Sequence, residues 1–257
     1  MQDAVSWELL LRNPAAVVKL PVECGEKEEI EIVAPEQIAR LLNIAYEWGQ
    51  KKAWALQSWA LISLAIGSGL RHGELAGLLW SDVDFIKKEI TIRRKASYYT
   101  LDGETKHWEG KPKTRSSLRK IVLTDFAMSA LIIHRDAQIE RRLRVGSKWE
   151  DLDLVFTNAR GHNLTPSGIL RLYRKLLIAA EIPATTKLHT LQHTAASIML
   201  KLNVPVTTVS KILGHSNPAA TWRVYAHTVP GDQEESMVTY HEFLSRYGVR
   251  KGVNGSV

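Results

Sequence analysis

One cysteine, Cys24, stands in 257 residues. That excludes an internal disulfide and fits a reducing compartment, so a cytoplasmic location is expected. No run of about 18 apolar residues occurs, so no membrane-spanning helix is expected. The N-terminus lacks the basic stretch, apolar core and small-residue cleavage site of a secretory signal. Internal repeats and low-complexity segments are absent too. Acids are the scarcer charge: 27 Asp/Glu face 34 Lys/Arg, a net +7. A basic balance of this kind points to an anionic partner.

What is present is unevenly placed. Between Ile86 and Lys120 lie eleven Lys/Arg and four acids, an excess equal to that of the whole chain. A charge so concentrated, in a region patterned like a hairpin, suits a surface that tracks phosphates. Arg93, Arg94, Lys95, Lys111 and Arg115 are its candidate nucleic-acid contacts.

Taken in order, residues 1–20 read as the end of a helix and a loop, with Val5, Leu9 and Leu10 at helical spacing before Asn13-Pro14. Residues 21–34 are acidic and read as a linker, so a further segment ahead of the chain is expected. Pro35-Glu36 opens a helix with Ile38, Leu41, Leu42, Ala45 and Trp48 on one face. Residues 53–66 are apolar nearly all round, which places that helix in the core. A small antiparallel sheet of about three strands follows. Its strands include Glu89–Arg93 and Arg119–Leu123, with turns at Asp102-Gly103 and Lys113–Ser117. Helices are then expected over 125–145, from Thr165-Pro166 to about Ala180, over 186–200, over Val206–Leu213, from Asn217-Pro218 past Tyr225, and over 234–247. Residues 248–257 read as a disordered tail. The fold expected is therefore α+β, mainly helical, with a three-stranded antiparallel sheet covered by helices.

Residues with chemical capacity recur along this plan. Arg71 begins a helix after a Gly-rich bend, where free N–H groups favour anions. His189 and Gln192 are three apart and so predicted to share a helix face. His215 follows a helix-ending glycine, and Tyr225 lies ten residues later. A tyrosine hydroxyl, with a pKa near 10, attacks phosphorus only with help. Arginine best holds the added negative charge, a lysine in a turn can protonate a leaving alkoxide, and histidines hold phosphate or move protons.

Five segments carry a resemblance: Gly69-Leu-Arg-His-Gly-Glu-Leu, Pro112-Lys-Thr-Arg-Ser-Ser, His189-Thr-Leu-Gln-His-Thr, Leu213-Gly-His-Ser and Thr221-Trp-Arg-Val-Tyr-Ala-His. In this order they resemble the catalytic domain of tyrosine recombinases, the phage- and transposon-type integrases, over residues 35 to 247. The resemblance implies that Arg71 clamps the phosphate and that Lys113, in a strand-joining turn, protonates the leaving 5′ oxygen. His189 and His215 would contact the phosphate. Tyr225 would attack it and form a 3′-phosphotyrosyl bond, and Glu74 would steady the surroundings of Arg71. It implies double-stranded DNA as partner, no metal or nucleotide cofactor, and assembly into a tetramer on DNA through the C-terminal helix. It also implies that residues 1–20 are the last helix of a separate core-binding domain. His193 and Trp222 lie beside the motif residues. His193 is expected to be structural, and Trp222, three before Tyr225, is expected on its helical face.

Gln192 departs from the pattern, which has a second arginine there. A hydrogen bond to a charged group is worth about 1.5–3 kcal/mol, more than a neutral one. Losing a donor of this kind in a transition state costs roughly 10²–10³ in rate. Impaired strand exchange is the resulting expectation. The alternatives are a DNA-binding module without catalysis and a nicking-resealing enzyme of the type IB topoisomerase kind.

Overall fold

The computed structural model describes residues 5–14, 31–52, 55–101, 104–110, 118–215, 217–225 and 237. Lys111, Lys113, Arg115, all but Met237 of the helix expected over 234–247, and the tail 248–257 lie outside them.

Helix α1 (Pro35–Lys51) starts at proline, as expected, and the Gln37 amide oxygen accepts from the Ala34 N–H at 3.1 Å. Helix α2 (Leu56–Ser68) is buried on nearly every side, which its all-round apolar sequence requires. It packs on α1, on the long helix α4 (Asp125–Val145) and on α6 (Leu188–Lys201). Short α3 (His72–Ala76) turns away just after Gly69 ends α2. Thr124 caps α4 by accepting from Ala127 N, and Thr165 caps α5 (Pro166–Ala179) by accepting from Gly168 N. Helices α7 (Val206–Leu213) and α8 (Pro218–Tyr225) complete the described set. No described helix is long and apolar enough to cross a membrane.

The three-stranded antiparallel sheet is present, in the order β1 (Val83–Asp84), β2 (Glu89–Ile92), β5 (Arg119–Val122). The expected Asp102-Gly103 turn lies outside the described residues, between β3 (Lys95–Leu101) and β4 (Glu104–Gly110), which among the described residues pair only with each other. This hairpin is therefore a separate ribbon rather than part of the sheet. The reason is that β2 already has both neighbours filled, by β1 and β5. The hairpin instead begins against α3. A Cβ on Gly73 would stand 3.0 Å from the Ala96 carbonyl, a tight contact that the glycine avoids where the two backbones approach.

Of the expected helix end over residues 1–20, only 5–14 lie within the described residues. Val5–Glu8 forms a single turn, and Trp7, Leu9 and Leu11 are exposed. The end of the acidic stretch is tied down. Val33 N donates to Thr194 Oγ1 at 3.0 Å, and Glu31 accepts from Thr186 Oγ1 at 2.8 Å.

Among the described residues, His134 is the buried histidine. His134 lies stacked on Phe156 (5.5 Å between centroids, 8° between planes), with Nε2 2.6 Å from the Val155 carbonyl. Burial pushes its pKa down to about 4, partly offset by that hydrogen bond, with Arg141 adding to the decrease. The folded state thus resists a proton that the unfolded chain takes up below about 6.5. Stability should be full above pH 6.5 and fall as pH drops towards 4, by about 3 kcal/mol in all. In urea titrations about 2 kcal/mol of this should be gone at pH 5 relative to pH 7.5, and His134→Gln should flatten the dependence. An equal slope in the variant would assign the effect elsewhere.

Candidate functional site

Arg71 is the residue before the first turn of α3. Its backbone N–H donates to Glu74 Oε2 at 3.0 Å, which fixes the start of the helix. Its guanidinium is 3.6 Å from the same carboxylate and is 37% exposed, so it keeps donors free for an outside anion.

Helix α6 brings His189 and His193 together. Their rings meet edge to face at 4.4 Å. Gln192 does not join them. It is 3% exposed, and neither amide atom has a hydrogen-bond partner among the described residues. The shared face predicted for His189 and Gln192 is thus held by His189 and His193. At 3.6 residues per turn, the fourth residue on lies about 40° round the helix and the third about 60° the other way. The nearer neighbour won, and Gln192 was turned inward.

Tyr225 ends α8 and is 1% exposed, packed with Ala196, Leu200, Val209 and Leu213. Its hydroxyl sits 2.6 Å from His193 Nδ1. Burial pushes the phenol up to about 12, while the Arg71 charge pulls it down. Trp222, by contrast, is half exposed. The same helical arithmetic puts Thr221, four before Tyr225, on the tyrosine's side instead.

His215 is placed by three contacts. Gly214 before it adopts φ 67 and ends α7, the His215 N–H donates to the Ser210 carbonyl at 3.0 Å, and Nδ1 meets Thr221 Oγ1 at 2.7 Å. All three histidines have lowered pKa values, first through burial. For His189 the next causes are the charges of Arg71, His72 and Lys187. For His215 they are Arg71, Arg119 and His189. His193 falls to about 4, with His189 and His215 adding to its burial. Arg71 therefore lies within electrostatic reach of His189, His215 and Tyr225.

Arg119, in β5, joins the two halves of the site. Its guanidinium is 8% exposed and pairs with Glu74 through two bonds of 2.8 and 3.0 Å. Its Nε donates to the Ile212 carbonyl at 2.7 Å. It also fills the space over Gly214, where a Cβ would stand 2.7 Å from Nη1. Glu74 therefore steadies Arg71 on one side and, through Arg119, the turn bearing His215 on the other. Of the residues here, Arg119 and Thr221 were not singled out in the sequence, and His193, expected to be structural, instead meets the Tyr225 hydroxyl. Four-residue spacing from His189 and from Tyr225 was the available signal for His193 and Thr221. For Arg119 there was none beyond its place in the basic run.

The basic surface is partly committed. Arg93 Nε is 3.1 Å from the buried carboxylate of Asp82, and Arg94 holds its other oxygen. Arg93 is still 55% exposed and Lys95 is exposed, so both remain open to an anion.

An arginine at a helix start, three histidines and a buried phenol make a site suited to an anionic ester, one in which a side-chain hydroxyl can attack phosphorus. The chain belongs to the phage integrase family, whose model matches residues 31–231. It is 34% identical over 253 residues to a XerC-like tyrosine recombinase of Caldanaerobacter subterraneus subsp. tengcongensis, covering 94% of this chain and 62% of that protein. It is 26% identical to the ICEBs1 integrase of Bacillus subtilis, covering 90% of this chain and 59% of that one. The chain thus spans about three fifths of these relatives. The fold is that of the Tn1549 transposon integrase, solved with circular intermediate DNA: TM-score 0.66, 20% identity, 85% of this chain and 68% of that one. The XerA recombinase gives a TM-score of 0.58 at 22% identity, covering 89% and 70%.

Proposed function

We propose that residues 35–247 form the DNA-cleaving and rejoining domain of a site-specific recombinase. Its partner is double-stranded DNA at a recombination site. Tyr225 attacks a backbone phosphate and holds the 3′ end as a phosphotyrosyl ester, conserving the bond energy for rejoining. Arg71, His189 and His215 grip the non-bridging oxygens, and Lys113 protonates the leaving 5′ oxygen. Arg93, Lys95, Lys111 and Arg115 follow the flanking phosphates, with Arg94 supporting them through Asp82. Four copies assemble on the DNA through the C-terminal segment 234–247, expected to be helical. The reaction runs slowly, because Gln192 supplies no charge.

The observation that carries this reading is the Tyr225 hydroxyl seated on His193, within reach of the Arg71 charge. The test is incubation with nicked duplexes from the ends of the genetic element that encodes the chain. A protein–DNA band that survives denaturation is expected, with the linked peptide mapping to Tyr225 by mass spectrometry. Salt-dependent binding with no adduct at any duplex would instead establish a DNA-occupying module. The sealed, unpartnered amide of Gln192 favours that second reading.

A further inference from the structure

We propose that His193 is the proton acceptor for the Tyr225 hydroxyl, a role resting on the recombinase reading above. His193 Nδ1 is 2.6 Å from the oxygen that would attack. The ring planes are tilted by 51°, with centroids 5.7 Å apart, so the contact is a nitrogen-to-hydroxyl approach and not a stacked pair. A phenol O–H is far more acidic than a neutral imidazole N–H. The favoured arrangement therefore has the tyrosine donating to a bare Nδ1, with the proton on Nε2. His215 is committed differently, its Nδ1 being held by Thr221. His189 sits with its ring against His193 at the start of α6, on the exposed side.

The electrostatics give the pair an off and an on condition. Without DNA the phenol lies near 12 and the imidazole near 4. The proton stays on the tyrosine, and the nucleophile is latent. A bound phosphodiester adds a negative charge that favours an imidazolium beside it. As the Oη–P bond forms, the phenol oxygen loses electron density and its proton becomes strongly acidic. The proton then passes to Nδ1. The P–O5′ bond breaks, its electron pair leaves on O5′, and that oxygen takes its proton from the Lys113 side. In rejoining, the 5′ hydroxyl attacks and gives its proton back to the Lys113 side, the phenolate leaves, and His193 returns the first proton to Oη. The two half-reactions balance without any further reactant.

The test uses the chain with a nicked duplex and measures the initial rate of Tyr225 adduct formation. His193→Ala and His193→Asn should each be slower by about 10²–10⁴, the range of general-base effects. Asparagine keeps a hydrogen-bond acceptor but cannot take a proton, so a merely positional role would leave its rate near the parent's. Added imidazole should restore part of the rate in His193→Ala. A duplex with sulfur at the leaving 5′ position needs no leaving-group proton. It should leave the His193 defects in place while relieving that of Lys113→Ala. A rate within threefold of the parent in His193→Asn, or relief by sulfur, would overturn the proposal. Nitrogen NMR of the free chain reads the pair without turnover. It should show His193 with Nδ1 bare and Nε2 protonated, and the opposite tautomer would overturn the assignment. If the parent and Gln192→Arg both form no adduct, the recombinase reading is what fails, and the tautomer still decides the hydrogen bond's direction.

Discussion

Gln192→Arg is expected to raise the rate of covalent adduct formation on a nicked duplex by about 10²–10³, the usual worth of one transition-state donor. Two observations support a gain of this size. The glutamine amide is sealed and unpartnered, so it offers nothing to a phosphate in the arrangement observed. Of the two arginines described at the site, Arg71 is the exposed one, since the guanidinium of Arg119 is spent on Glu74. An arginine side chain carries its charge beyond the point where the glutamine amide stops and adds a second planar fork. A companion variant separates reach from charge. Gln192→Leu removes an unsatisfied buried amide, which costs about 1–3 kcal/mol where it stands. It should therefore hold or raise the denaturation midpoint and leave the adduct rate near the parent's. A Gln192→Leu rate as low as an empty-site control would show that the amide does reach the phosphate. No gain in Gln192→Arg would remove the idea of impairment.

Glu74→Ala should be the most damaging single change to stability near the site. It strands the guanidinium of Arg119 at 8% exposure, and an uncompensated buried charge of this kind costs about 3–5 kcal/mol. It also removes the acceptor at the Arg71 N–H. Replacing both partners, as Glu74→Ala with Arg119→Met, should recover much of the loss, because no buried charge is left unpaired. Urea unfolding of the two single variants and the double variant measures this directly. Strict additivity of the single effects would show that the pair is not coupled. Adduct formation should remain low in the double variant even where stability returns, since neither Arg71 nor the turn at Gly214 is then tied to the other.

Much of this was legible from residue order. Proline and threonine at helix starts, and glycine at helix ends, marked α1, α5 and α7 nearly to the residue, because those caps act locally. Two strands of the three-stranded sheet were visible in the alternation at Glu89–Ile92 and around Arg119, while Val83–Asp84, two residues long, carried no readable pattern. The separate hairpin was not visible either, because a strand's own pattern does not say which neighbour will have an edge free. The site was legible as a set of residue types and less so as a geometry. Reading three-residue spacing as the nearest helical neighbour misplaced Gln192 and Trp222 alike, where four-residue spacing would have found His193 and Thr221. Arg119 was hidden for another reason. In a run of eleven cations, nothing local distinguishes the one that is buried against a carboxylate 45 residues earlier.

That same guanidinium sets an order of assembly. It must close one loop back to Glu74 and another forward to Ile212, 93 residues on, before Arg71 and His215 are held together. Closing long loops carries an entropy cost that grows only slowly with length, but it cannot be met until both ends exist. During synthesis the helices around α2 and the sheet can form while the later segments are still unmade. The pocket cannot. A ribosome-bound chain lacking α7 and α8 would present a folded, basic surface with no assembled nucleophile, so capacity to grip DNA should precede capacity to cut it.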